Sequence, residues 1–179
     1  MKHKEMLAVL KSMRVLIDTR EQDTPRARRR ISVIGLPVDR VALDYGDYSY
    51  NATLPDGSTI YDLTAGRIRP SCAIERKMDL DELAQCFCGQ RDRFEREWER
   101  AADAGARLWL LVENASWAAV YGHRYRTLMN HDAFVQSILA FQCRYDSRLI
   151  MCDDIISGKL IHDILYRDLK ERLERGEYG

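Results

Sequence analysis

The stretch "CAIERKMDLDEL", residues Cys72 to Leu83, decides the fold of this chain. An apolar run leads into Glu75, Arg76 and Lys77, and a helix-like pattern follows. Because side chains alternate across a strand, Glu75 and Lys77 share one face, with Cα atoms about 6–7 Å apart. An acid and a base so placed can act on one substrate atom from two sides. Taken alone, such a pair on a strand is more often a solvated ion pair.

The sequence after this stretch alternates between helical and extended patterns. Asp79 predicts a helix N-cap, because Glu82 follows three residues later at the spacing of a capping box. Apolar residues from Leu83 to Ala101 recur at helical spacing and predict one long helix, which ends near Gly105. The remaining pattern predicts a strand at 107–112, a helix at 131–146, a strand at 148–152 and a helix at 154–174.

The sequence before the stretch predicts mainly strands. Residues 14–18 are typical of a short buried strand. Residues 19–37 break this pattern through their prolines, glycine and arginines, and predict an irregular segment. Residues 39–65 predict strand, turn, strand, tight turn and strand, with Asp56-Gly57 as the tight turn. A meander followed by alternating helices and strands predicts an α/β domain with a mixed central β-sheet flanked by helices.

Composition narrows the class of protein. The length suits a single domain over residues 1–179. The 28 basic and 28 acidic residues cancel, which argues against a protein that simply coats nucleic acid. No apolar run approaches the length that spans a bilayer, so no membrane association is expected. The five cysteines are an odd number and the N-terminus does not resemble a signal peptide, which predicts free thiols and a cytoplasmic, intracellular protein.

Acidic residues at two other positions are candidates to join Glu75. A carboxylate binds hard divalent cations through oxygen, but one carboxylate rarely holds Mg²⁺ alone. Asp47 follows Gly46, where the chain can bend into the next strand, and Asp18 ends the buried strand at 14–18. Each signal is weak by itself, since Gly-Asp is usually a turn and "IDTRE" is also compatible with a strand end and a helix cap.

Taken in order, these motifs resemble a known family. "IDTRE", "GDY", "IERKMDLDEL" and "GQRDRFEREW" are similar to the nuclease domain of the XPF family of structure-selective DNA endonucleases. That family carries DxRE, then GD, then ERKxxxD, on the restriction-endonuclease-like PD-(D/E)xK nuclease fold. The resemblance runs from about residue 14 to the strand at 149–152. The motif positions here are Asp18, Arg20, Glu21, Gly46, Asp47, Glu75, Arg76, Lys77 and Asp81.

The resemblance implies a metal-dependent phosphodiesterase. Asp47 and Glu75 would bind Mg²⁺, for which Mn²⁺ could substitute, with Asp18 near the metal. Lys77 would orient the attacking water or stabilise the pentacovalent phosphorus. The supporting positions would be Arg20, Glu21, Arg76 and Asp81, of which the arginines would steady phosphate or fix the carboxylates. Asp81 is equally well explained as a favourable acid at a helix N-terminus.

The chain departs from the family pattern in two places. Residues 51–70 form an insertion between GD and ERK, which is either a DNA-facing loop carrying Arg67 and Arg69 or a plain surface hairpin. No tandem helix-hairpin-helix module is recognised, although family members commonly carry one. Further candidates for phosphate contact are Arg26, Arg28–Arg30, Arg91 and Arg93, whereas Arg96 and Arg100 are expected to pair within a solvated helix face.

Three functions are compared. The leading hypothesis is a metal-dependent DNA endonuclease that cuts branched or flapped DNA. The alternatives are an inactive nuclease-fold module that binds DNA or a partner protein, and a structural protein whose charges are only surface. The apolar stripe from Leu160 to Leu173 predicts a homodimer or a protein partner through the C-terminal helices, or else burial on the chain's own sheet.

Overall fold

A computed structural model describes residues 1–178. Within them the helices are α1 His3–Lys11, α2 Pro25–Ile34, α3 Leu80–Phe87, α4 Arg91–Asp103, α5 Trp117–Tyr121, α6 His131–Tyr145 and α7 Asp154–Glu174. The strands are β1 Arg14–Asp18, β2 Val38–Leu43, β3 Tyr48–Asn51, β4 Arg67–Ile68, β5 Cys72–Lys77, β6 Arg107–Glu113 and β7 Arg148–Cys152.

The strands of the described residues form one mixed sheet in the order β4-β2-β1-β3-β5-β6-β7. β3 lies between β1 and β5 and is antiparallel to both, whereas the other pairs are parallel. The predicted α/β class and mixed sheet are therefore confirmed. The predicted opening meander is wrong, because β1 and β2 are parallel and parallel neighbours need a crossover connection.

That crossover is helix α2, in the segment predicted to be irregular. Thr24 caps the helix by accepting a hydrogen bond from Ala27 N, and Pro25 occupies the first turn, where no amide hydrogen is needed. Gly35 ends it in the left-handed conformation. The proline and glycine that were taken as breaks in the pattern are thus the two boundaries of a helix.

Two further predictions need correction. The long helix after Asp79 is two helices, α3 and α4, separated by a turn at 88–90. The hairpin at Asp56-Gly57 forms only an isolated bridge between Thr53 and Thr59, in place of a full third strand. The predicted N-cap is confirmed, since the Asp79 side chain accepts from Glu82 N.

Hydrophobic cores cover both faces of the sheet. One contains α3, α4 and α6 and buries an aromatic cluster around Phe94, Trp98 and Phe141. The other contains α1, α2 and α7, and there Ile161, Leu165 and their neighbours on α7 pack against the sheet. The apolar stripe of α7 therefore lies in the chain's own core, and it gives no support to a homodimer.

Residues of β5 alternate between these cores. Ala73 belongs to the α3–α4–α6 side, and Ile74 belongs to the α1–α2–α7 side. Glu75 and Lys77 continue the first series and Arg76 the second, as strand periodicity predicted. Within residues 1–178 no helix is long and apolar enough to cross a membrane.

Candidate active site

An open cavity of about 490 Å³ lies where β5 ends, between the loop after β1 and helix α4. Its wall contains Arg20, Glu21, Gln22, Thr24, Arg26, Arg30, Asp47, Glu75, Arg76, Lys77, Met78, Glu82, Arg93 and Glu97. The cavity thus brings together parts of all three sequence motifs. The predicted site residues that do not line it are Asp18, Asp81, Arg67, Arg69 and Arg91.

Asp47 and Glu75 meet because β3 and β5 are neighbouring strands. Asp47 N donates to the carbonyl of Ile74 at 2.8 Å, and the Asp47 carboxylate accepts from Arg76 N at 2.8 Å. Burial raises the pKa of the Asp47 carboxyl well above its usual range, and the nearby negative charge of Glu75 raises it further. A partly buried carboxylate next to another acid is unfavourable, and a positive charge bound at this wall would relieve that cost.

Gly46 lets the chain enter this turn. Its φ is +73°, and a Cβ atom built there would lie 2.8 Å from Ala73 Cβ and 3.3 Å from Leu108 Cδ1. Only glycine suits both the left-handed backbone and the close approach of the core.

Lys77 carries the positive charge closest to the two acids. Its Nζ donates to Glu75 Oε1 at 2.6 Å, and the side chain is largely buried. Burial would lower the pKa of Lys77, but Glu75 and Asp47 outweigh that effect and raise it. The raised pKa favours the ammonium form of Lys77, which can stabilise negative charge or donate to an oxygen.

Asp18 is buried and fully engaged by its neighbours. Its carboxylate accepts from the backbone N and Nε of Arg20, both at 2.7 Å, and from Leu43 N at 2.7 Å. Asp18 thereby fixes Arg20, whose side chain is half exposed and reaches the cavity wall. Asp18 therefore affects the site by positioning the Arg20 side chain.

Arg76 points to the opposite face of β5 and enters a buried network of charges. Arg30 of α2 donates to Glu113 Oε1 at 2.8 Å and to Glu21 Oε1 at 2.9 Å. Arg76 lies 3.4 Å from Glu113 and 3.5 Å from Glu21, and Tyr48 donates to Glu21 at 2.9 Å. Two arginines and two glutamates balance here.

The pKa shifts of Glu113 and Arg76 reflect this balance of charge. Burial alone would raise the pKa of the Glu113 carboxyl, but the hydrogen bonds from Arg30 outweigh it and lower that pKa. For Arg76, burial and the charge of Arg30 would lower the pKa, yet Glu21 and Glu113 raise it. Every charge in this cluster is matched by an opposite one. The Glu21 of the DxRE motif therefore lines the cavity and at the same time pairs with the arginines of this cluster.

The remaining predicted residues lie outside the cavity or at its rim. Asp81 accepts from Arg126 N and Nε at 2.6 and 2.7 Å, so it anchors the loop before α6. Arg93 lines the cavity, whereas Arg91 pairs with Glu95 within α4 at 3.1 Å.

The insertion presents its arginines next to α4. Arg67 and Arg69 lie 3.7 and 3.0 Å from Asp44 and are about 60% exposed. Arg100 contacts the carbonyl of Arg96 within its own helix at 3.1 Å, and it also donates to the backbone carbonyl of Asp44 at 3.1 and 3.2 Å, a contact that the sequence did not predict. Arg30 is likewise unsuited to contact DNA, because it is buried.

Sequence reasoning missed two acids. Glu97 of α4 lines the cavity and accepts from Gly46 N at 2.9 Å, and Glu113 is the last residue of β6. Burial and then the charge of Glu75 raise the pKa of the Glu97 carboxyl. Glu97 was concealed among the alternating charges of "FEREWER", although it precedes the buried Trp98. Glu113 could have been found as an acid that ends a buried strand.

The donor set suits a hard divalent cation. Asp47 and Glu75 offer carboxylate oxygens on one wall, which is the ligand type that Mg²⁺ prefers. Among residues 1–178 no group of three His, Cys, Asp or Glu side chains converges closely enough to hold a metal unaided. A cation here would therefore rely on the two neighbouring acids and on oxygens of water and substrate, as is usual for Mg²⁺.

The sheet, its flanking helices and the acids at the end of β5 define the restriction-endonuclease-like nuclease fold. The chain belongs to the ERCC4 domain family, whose model matches residues 17–162. The resemblance to XPF nuclease domains is thereby confirmed.

Solved structures support the same fold. XPF from Aeropyrum pernix is 23% identical to this chain, with a TM-score of 0.59. The match covers 87% of this chain and 61% of the XPF chain. XPF from Aeropyrum pernix in complex with DNA is 24% identical to this chain, with a TM-score of 0.58. The match covers 89% of this chain and 66% of the XPF chain. This chain thus spans less than two thirds of either relative. The comparison with curated proteins gave no match.

Proposed function

We propose that this protein is a Mg²⁺-dependent endonuclease that hydrolyses phosphodiester bonds in DNA, with branched or flapped DNA as its substrate class. One observation carries the proposal: three acids, Asp47, Glu75 and Glu97, share a cavity wall with one buried ammonium, that of Lys77. Folding alone gives no reason to place like charges together. A divalent cation held by Asp47 and Glu75 would offset this negative charge, and Lys77 with the arginines of the wall would face the phosphodiester.

Each residue has a defined part in the reaction. Asp47 and Glu75 are the residues that would hold the cation, with Mn²⁺ able to replace Mg²⁺, and Asp18 acts beside them by fixing Arg20. The cation would supply Lewis-acid chemistry, polarising the scissile phosphate. Lys77 donates to the attacking water or to a phosphate oxygen and stabilises the charge that develops on phosphorus.

Arginines around the cavity provide for phosphate binding. Arg20, Arg26 and Arg93 line it, and Arg67 with Arg69 form an exposed basic edge farther along α4. Phosphate contacts of this kind supply affinity without reading sequence. Support for a DNA substrate comes also from the related Aeropyrum pernix protein, whose structure was determined in complex with DNA.

The test is cleavage of labelled flap, fork, four-way junction and linear duplex DNA in Mg²⁺ or Mn²⁺. We expect the wild type to cut branched DNA, and Glu75→Ala and Lys77→Ala to lose about a hundredfold or more in rate. Glu99→Ala is the matched control, because Glu99 is exposed on α4 and does not line the cavity. Binding without cutting by the wild type in either metal would instead establish an inactive DNA-binding module.

A further inference from the structure

Glu97 has a contact that its charge alone does not explain. Its Oε1 accepts a hydrogen bond from Gly46 N at 2.9 Å, which joins helix α4 to the turn immediately before Asp47. The two residues are 51 positions apart in the chain. Glu97 lies within the stretch "GQRDRFEREW", but neither the motif positions compared above nor the proposed chemistry assigns it a role.

The residues on both sides of Gly46 are anchored by other groups, since Arg100 donates to the carbonyl of Asp44 and the Tyr45 hydroxyl donates to the carbonyl of Pro70. Asp47 is fixed from the sheet side, where its amide donates to Ile74 and its carbonyl accepts from Asp18 N at 2.9 Å. Gly46 has a left-handed backbone, which glycine adopts without strain. A charge-assisted hydrogen bond to a backbone amide is about twice as strong as a neutral one. The bond from Glu97 therefore fixes the Gly46 amide, which the sheet contacts of Asp47 do not include.

We propose that Glu97 is a positioning residue, which directs the Asp47 carboxylate into the cavity by holding the Gly46 amide. This inference rests on the proposed function for its effect on cleavage, but the contact itself can be tested without activity. The hydrogen bond to the Gly46 amide is the contact that matters for positioning, and the side-chain oxygen of glutamine can also accept it.

Two variants separate the bond from the charge. Glu97→Gln keeps an acceptor oxygen and removes the charge, whereas Glu97→Ala removes both. We expect Glu97→Gln to cleave within about threefold of wild type at saturating metal, and Glu97→Ala to lose about tenfold or more in kcat with little change in KM for DNA. Mn²⁺ binding without DNA, measured by calorimetry, should weaken more in Glu97→Ala than in Glu97→Gln.

Amide hydrogen exchange at Gly46 provides a readout independent of cleavage and of metal. We expect the Gly46 amide to be protected in the wild type and in Glu97→Gln, and to exchange at least tenfold faster in Glu97→Ala. Unchanged exchange in Glu97→Ala overturns the proposal, as does a Glu97→Gln variant that is as impaired as Glu97→Ala. If the wild type cuts no DNA, the proposed function fails, while the exchange and Mn²⁺ measurements still decide the role of Glu97.

Discussion

Two clusters of charge lie on opposite faces of the same strand, β5. On one face Asp47, Glu75 and Glu97 stand around a single buried lysine, and burial together with like charge raises the pKa of Asp47. On the other face two arginines meet two glutamates, and the pKa of Glu113 is lowered. The charges of the second cluster are paired within the protein, whereas the first cluster places three acids next to one buried ammonium and raises the pKa values of Asp47 and Glu97. Carboxyl groups with raised pKa values in a cleft are typical of functional sites.

The largest effect is expected on cleavage when an acid of the unbalanced face is removed. Asp47→Asn preserves shape and can still accept from Arg76 N, but it should lower the cleavage rate by about a thousandfold. Single-turnover assays on a flap substrate measure this loss, with Asp103→Asn on an exposed part of α4 as the control. Activity near that of the wild type would show that Asp47 holds no essential cation.

The same variant should make the fold more stable. A carboxyl whose pKa is raised by folding binds more protons in the native state than in the unfolded state between its two pKa values. The free energy of unfolding therefore falls as the pH rises toward the pKa that Asp47 has in the folded protein. At neutral pH the Asp47 carboxyl opposes folding. Asparagine removes this penalty, so urea unfolding at pH 7 should show a gain of about 1 kcal/mol, which shrinks toward pH 3.

Breaking the balanced face should instead destabilise the protein strongly. Arg30→Met leaves Glu21 and Glu113 buried without their closest cation and should cost about 3–5 kcal/mol in the free energy of unfolding. Arg28→Met is the matched control on the same helix, because Arg28 is exposed and pairs with an exposed Asp23. Equal denaturation midpoints for the two variants would contradict the assignment of Arg30 to the buried cluster.

A smaller effect is expected at the turn before Asp47. Gly46→Ala should cost about 1–3 kcal/mol, because the new methyl group meets Ala73 Cβ and Leu108 Cδ1 in a left-handed backbone. Gly57→Ala isolates the backbone contribution, since φ there is +88° and no atom lies within 4 Å of the added Cβ. The difference between the two unfolding free energies measures how tightly the core encloses the turn.

The smallest effect concerns the exposed basic edge. Replacing Arg67 and Arg69 together by serine should weaken DNA binding about threefold to tenfold and lower the salt slope of log K by about one to two, as two lost phosphate contacts require. Arg167→Ser on α7 is the control, because that arginine is similarly exposed. An unchanged slope would favour a plain surface hairpin for residues 51–70.

The local sequence pattern correctly predicted that an acid and a base share one face of β5. Glu75 and Lys77 share a face because strand periodicity is a local property, and the N-cap at Asp79 follows from its own side chain. The helix at 25–34 was missed because its proline and glycine were taken as breaks and not as boundaries. The single long helix was wrong because apolar spacing continues across the turn at 88–90.

The sequence by itself determined the fold class and the order of the motifs, and it singled out Asp47, Glu75 and Lys77, which the structure places in one cavity. These features depend on periodicity and on residues that are neighbours in the chain, and both can be read from the sequence. Only the tertiary structure decided what the distant charges do: that Glu97 reaches Gly46, that Asp18 is engaged by Arg20, and that Arg30 and Arg100 serve the protein's own acids. Such pairings depend on which strands and helices become neighbours, and a charged residue has many possible partners until the fold has selected one.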